Sequence, residues 1–235
     1  MTLSLTASDF KLRQATCEIR YPEAFLVFDR TGDVYRQLAK KFTNLHSDSA
    51  SPAQTQMTAE EGSVVVEIKA LRLTDNSPDF KLEKLAANMA TVFDIAAKQL
   101  ELSVFTRIGL RQILTKTYKT EQEPEAALNA LQLFKLGDEK RFGAGPNISE
   151  FQIRWENKEI GATIRIKAEN GTIDAKLPPD LEMEPSEIHK EIHHLVLDLD
   201  YYTVAVVERG QWDPNTWITQ SARIVRKETD RILSL

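Results

Sequence analysis

Arg107 and Arg111 stand two residues either side of Gly109 in the run Arg107-Ile108-Gly109-Leu110-Arg111. In an extended strand alternate side chains share a face, so Phe105, Arg107, Gly109, Arg111 and Ile113 point the same way. Two guanidiniums around a residue without a side chain form a shallow cationic saddle. A guanidinium suits two-point binding of carboxylate or phosphate, and glycine admits a ligand or another backbone. Arg107 and Arg111 are therefore a candidate anion-binding site. Mid-strand charges also need partners, and Leu197-Asp198-Leu199-Asp200-Tyr201 supplies them by placing Asp198 and Asp200 on one strand face. These carboxylates either neutralise the arginines across a sheet or hold a divalent cation through oxygen ligands. The ion-pair network is the favoured reading, with Asp198 and Asp200 as a metal site the sharper alternative.

Other reactive side chains offer less. His189 and His193 have the one-turn helical spacing used by zinc sites. The order His-Lys-Glu-Ile-His matches no metalloprotease motif, and the same stretch scans as a strand, which sends His193 and His194 to opposite faces. Cys17 lies in a predicted strand as an inert thiol. Gly137 to Pro146 is glycine-rich but lacks the lysine-then-hydroxyl ending of a phosphate loop, so it reads as a connector. Near the C-terminus Arg223, Lys227 and Arg231 recur every four residues, a stripe for phosphate or an acidic partner protein. Glu228 and Asp230 interrupt it, and a solvated face is the default. No cofactor fingerprint is present, and none is expected.

The elements that must position these residues can be read from periodicity. Ala15 to Tyr21 reads as a strand, continued by Phe25 to Phe28, and Thr31 as the cap of a helix carrying Val34, Leu38 and Phe42. Residues 46–62 read as a long loop, then Val64 to Leu73 as a strand. Ser77-Pro78-Asp79 opens a helix running to about Leu100, with Leu85, Met89, Val92, Phe93 and Ala96 inward. Leu102 to Tyr118 reads as one long strand and 122–135 as a short helix. Phe151 to Trp155 and Ala162 to Ala168 form a hairpin. Asn170-Gly171 signals a tight turn into a further strand. Ile192 to Val207 contains a strand, and Asp213-Pro214 opens the last helix. The fold class expected is α+β: mainly antiparallel sheet packed by three to four helices. Cys17 to Tyr21 echoes Phe151 to Trp155, a hint of two related halves, 1–136 and 149–235, or of one compact domain.

Taken in order, these pieces resemble an uncharacterised, sporadically distributed bacterial protein family. Its members open with a strand like Glu18-Ile19-Arg20-Tyr21 and carry a central Arg-Ile-Gly-Leu-Arg strand, matched by Arg107 to Arg111. A late acidic strand follows, matched by Leu197 to Asp200, and then a closing helix. The family usually continues its central strand with Tyr and then Ile-Asn, where this chain has Gln112-Ile113-Leu114. The resemblance carries no established activity. Its patchy distribution implies mobile genes, as in defence and toxin–antitoxin systems.

Composition sets the remaining bounds. The chain has 235 residues, 30 Lys and Arg against 35 Asp and Glu, and a single cysteine. The acidic balance disfavours non-specific nucleic-acid binding. One cysteine, no signal peptide and no membrane-length apolar run lead to a soluble protein of a reducing cytoplasm. The function expected is a non-enzymatic protein-binding or accessory protein of the bacterial cytoplasm, acting on a protein partner or as a homo-oligomer. The alternative is an anion- or nucleotide-binding enzyme using Arg107 and Arg111 with Asp198 and Asp200.

Overall fold

The structure, a computed structural model, describes residues 5–77, 81–131, 133, 148–174 and 189–234. Its strands in chain order are β1 (Lys11–Arg20), β2 (His46–Ser51), β3 (Gln54–Ala59), β4 (Gly62–Glu67), β5 (Ala70–Asp75), β6 (Val104–Phe105), β7 (Arg107–Tyr118), β8 (Glu150–Glu156), β9 (Ile160–Asp174), β10 (His189–Thr203) and β11 (Val207–Glu208). The α-helices among the described residues are α1 (Val27–Leu38), α2 (Leu82–Gln99), α3 (Gln122–Ala130) and α4 (Pro214–Leu233). Nine strands form one antiparallel sheet in the order β2-β3-β4-β5-β1-β7-β10-β9-β8, while β6 and β11 pair separately. The fold is α+β, as the periodicity predicts. No helix among the described residues is long and apolar enough to cross a membrane.

The described helices cover one face of the sheet, and among the described residues the other face is open. Alternation decides which side chains go where. Along β1, Ala15, Cys17 and Ile19 are fully buried. Along β7 the covered face receives Ile108 and Leu110, and along β10 Leu195, Leu197 and Leu199. α2 lays Leu85, Met89, Val92, Phe93 and Ala96 onto this face, the stripe read from its 3.6-residue period. Trp212 packs edge-on against Phe93 with ring centroids 4.6 Å apart, tying the entry of α4 to α2. Asp213 caps α4 by accepting a hydrogen bond from the Thr216 amide at 2.8 Å, with Pro214 beside it.

Several local expectations are corrected. Residues 46–62 are not a loop: β2 and β3 occupy most of them, with Thr55, Met57 and Ala59 alternating inward. Phe25 to Phe28 does not extend β1, because α1 begins at Val27; Thr31 lies inside that helix and its hydroxyl donates to the Val27 carbonyl. The long strand from Leu102 breaks at Thr106, whose amide bonds the Arg20 carbonyl at 2.8 Å. Asn170-Gly171 is no turn. It sits within β9, paired with Ile192 and His193 of β10. The predicted hairpin is present as β8 and β9, its turn closed by Asn157 Oδ1 accepting from the amides of Glu159 and Ile160. The predicted helix start at Pro78-Asp79, the whole of Gly137 to Pro146 and Pro178-Pro179 lie outside the described residues.

Among the described elements the chain order strand, helix, further strands, helix occurs twice, from β1 to α2 and from β7 to α4. β1 and β7 occupy corresponding places and pair with each other at the centre of the sheet. The echo between Cys17–Tyr21 and Phe151–Trp155 is therefore not a structural correspondence, since Phe151–Trp155 lies in the outermost strand β8. The sheet runs unbroken across the expected division at 137–148.

Candidate functional site

The open face carries the charged residues singled out in the sequence. One row crosses six strands in register: Arg72 on β5, Glu18 on β1, Gly109 on β7, Tyr202 on β10, Gly161 on β9 and Glu156 on β8. Its two glycines leave gaps that neighbouring side chains fill. The Arg107 guanidinium folds over Gly109, where an added Cβ would come within 2.6 Å of Nη1. The Tyr202 ring lies on Gly161, where a Cβ would meet ring carbons at 2.4 Å. The glycine of the Arg-Ile-Gly-Leu-Arg strand thus makes room for the arginine two residues before it, and not for a ligand.

Held there, Arg107 is bound on three sides. Its Nη1 donates to Glu18 at 3.0 Å, and its Nη2 donates to both Asp200 oxygens at 3.0 and 2.8 Å. Its Cζ stands 4.5 Å from the Tyr202 ring centroid, a cation–π contact. Glu18 also accepts from Arg72 Nε at 2.9 Å and Arg20 Nε at 2.7 Å, and Arg72 forks onto Glu67. Tyr202 completes the far end by donating to Glu156 at 2.8 Å, and Glu156 is paired with Arg154. Arg111 is served separately: its Nε and Nη2 form a two-point bridge with Asp198 at 2.8 and 2.6 Å.

The directly opposed residues are Arg111 and Asp200, yet each bonds a residue displaced along its partner strand. Gly109 explains the offset. With no side chain there, Arg107 reaches Asp200 over the gap, and Arg111 turns to Asp198. Burial holds the Asp200 carboxyl above its ordinary range, and the Arg107 charge pulls the other way. Arg111 is held above its ordinary value by the Asp198 hydrogen bond. Asp198 and Asp200 are thus both engaged by guanidiniums. Among the described residues no cluster of three or more His, Cys, Asp or Glu side chains is placed to hold a metal.

Glu18, Arg72 and Tyr202 are network members that sequence reasoning missed. Glu18 sits in the strand Glu18-Ile19-Arg20-Tyr21, but only the register of β1 on β7 brings it to Arg107. His193 and His194 lie on β10 and face opposite sides, as a strand requires. His194 is buried, and burial lowers its imidazole below the ordinary range, with the Arg13 charge acting the same way. His193 bonds Asn170 Oδ1 at 3.1 Å. Cys17 is fully buried and burial pushes its thiol well up, so it stays protonated.

The basic stripe does not act as one surface. Arg231 is bound to Glu228 at 2.7 Å and borders a groove at the sheet edge. Arg223 instead lines a separate cavity near the start of α2. Lys227 is exposed between them.

That edge groove encloses about 360 Å³ between α4 and the strands β8 and β9, lined mainly by Trp155, Ile160, Ile164, Ile224, Val225 and Ile232. Trp155, Ile160 and Ile224 are 43%, 37% and 45% exposed, which places three of the chain's large exposed apolar side chains around one depression. β8 beside it is the last strand of the sheet among the described residues. The bonds Asn157 N to Ile160 O and Ala168 N to Ser149 O fix the ladder phase. In that phase the backbone groups of Gln152 and Arg154 point away from β9. No protein-family model and no curated protein matches this chain.

Proposed function

We propose that this chain works by binding another protein, which adds an extended segment to the free edge of β8 and seats apolar side chains in the neighbouring groove. The observation carrying this reading is the coincidence of a strand edge unpaired among the described residues with Trp155, Ile160 and Ile224 exposed beside it. Main-chain hydrogen bonds from a strand edge supply affinity, and an adjoining pocket supplies specificity. The opposite edge supports the choice. β2 exposes all six of its residues, is rich in serine, and is kinked between Ser47 and Ser49, the marks of an edge protected against pairing. A reducing cytoplasm is the expectation from the single cysteine, while a bacterial source and an accessory role in a mobile defence or toxin–antitoxin type system rest on the family resemblance alone.

The rival reading, an enzyme taking an anion or nucleotide on Arg107 and Arg111, requires a ligand to displace Asp200, Glu18 and Asp198 from those guanidiniums. A photo-crosslinking residue placed at Ile224 and, separately, at Ser49 tests the proposal in cells. A discrete adduct from position 224 and none from position 49 supports it, and the adduct's mass separates a second copy from a different protein. Equal or absent adducts at both positions reject it.

A further inference from the structure

The covered face of the sheet holds a second cavity of about 520 Å³, bounded by β1, β7, β10, the start of α2 and α4. Its walls are mostly apolar, with Phe10, Leu12, Leu82, Leu114 and Leu199 among them. Gln112 interrupts them from β7, directly opposite Leu199 in register. Its neighbours along this face of β7, Leu110 and Leu114, are apolar, and the next cation, Lys116, is paired with Asp9. Gln112 is only 7% exposed, and its amide nitrogen has no hydrogen-bond partner among the described residues. Buried amides are nearly always bonded, so this one calls for a polar atom arriving from the cavity. The mouth is cationic. α4 presents Arg223, which makes no ion pair among the described residues, and Arg226, which donates to Ser8 Oγ at 2.8 Å; Glu83 is the one acidic residue on the lining.

We infer that this cavity binds an amphipathic monocarboxylate. The carboxylate sits at Arg223 and Arg226, the hydrocarbon body lies on Phe10, Leu114 and Leu199, and a hydroxyl or carbonyl on that body pairs with the Gln112 amide. A cavity of this volume is in the range of small-molecule sites, which combine apolar walls with a few polar groups that fix orientation. The inference is independent of the edge groove, which lies elsewhere against α4. It also assigns a role to Arg223, which the stripe reading left on a solvated face.

Displacement of the fluorescent probe 1-anilinonaphthalene-8-sulfonate from the full chain tests it, with decanoate, decan-1-ol and the 3- and 10-hydroxydecanoates as competitors. Decanoate should displace the probe and raise the melting temperature, as a ligand of the native state must. Decan-1-ol should be at least tenfold weaker. Arg223→Gln should weaken decanoate at least tenfold without changing decan-1-ol. At least one hydroxydecanoate should bind more tightly than decanoate, an advantage lost in Gln112→Leu. Ile224→Glu, which alters only the edge groove, should leave decanoate binding intact. No displacement by decanoate, equal binding by Arg223→Gln, or loss confined to Ile224→Glu would overturn the assignment. The absence of any Gln112-dependent hydroxyl preference would overturn its second half.

Discussion

The Arg107 guanidinium lies 4.5 Å from the centre of the Tyr202 ring, and each side chain covers a glycine, Gly109 and Gly161 respectively. The two glycines flank Tyr202 on either side in register. A cation and an aromatic ring therefore occupy the space of missing side chains and bridge four strands, from β1 to β9, on a face that none of the described helices covers.

This arrangement makes the two arginines unequal. Arg107 is 20% exposed and bound to Glu18 and Asp200, themselves 16% and 29% exposed. Arg107→Ala leaves two partly buried carboxylates uncompensated, and should cost about 3 kcal/mol, the lower end for breaking a buried pair. Arg111 is 53% exposed. Arg111→Ala should cost about 1 kcal/mol, the upper end for a surface pair. Urea unfolding of both variants checks the order, and equal losses would contradict it.

Gly109→Ala should act through Arg107 and not through the backbone. Its new methyl would meet the guanidinium at 2.6 Å and push it off Asp200. In the Arg107→Ala background that obstacle is gone, and alanine is no worse than glycine in a strand. A double-mutant cycle should return a coupling on the order of 1 kcal/mol or more between the two sites. Additive effects would show that Gly109 serves another purpose.

His194 sets a pH dependence whose sign follows from its environment. Its folded pKa is lowered, chiefly by burial, so the unfolded chain takes up the proton first. Stability from this group is complete above the unfolded value of about 6.5 and is lost as pH falls through the window below it. Replacing it, as in His194→Gln, should flatten the acid limb of the melting-temperature profile below about pH 6.5. An unchanged slope would mean that other groups govern that limb.

Ile224→Glu should leave folding nearly untouched, within about 0.5 kcal/mol, because the side chain is 45% exposed on α4. The same change places a charge in the edge groove and should abolish partner adducts at a crosslinker installed at Trp155. Thermal unfolding and adduct yield measured together separate loss of binding from loss of structure.

Sequence alone revealed what local chemistry controls. Asp213-Pro214 announces α4 through a cap, and the apolar stripe of α2 needs only a helical period. The Arg107, Arg111, Asp198 and Asp200 set was legible as a network, because alternation puts like with like on a strand face. What could not be read was register. Nothing local says that β1 slides along β7 until Glu18 lies opposite Gly109, or that Arg107 and Arg111 take displaced partners. Asn170-Gly171 misleads for a related reason: pairing with β10 outweighs the turn preference of two residues. The edge groove was equally hidden, since Trp155, Ile160 and Ile224 meet only after α4 packs onto the sheet.

The place of β10 in the sheet has a consequence for how the chain is made. β10 pairs with β7 on one side and β9 on the other, yet both neighbours precede it in sequence. During synthesis β1 and β7 can meet, and β8 can fold onto β9, while the slot between them stays empty. Until residues 189–203 leave the ribosome, the outer edge of β7 presents unpaired backbone flanked by Ile108, Leu110 and Leu114. A nascent chain in that state is open to capture by another strand. Closing it is a late, long-range step, so this protein should depend on chaperones during translation more than its modest size suggests.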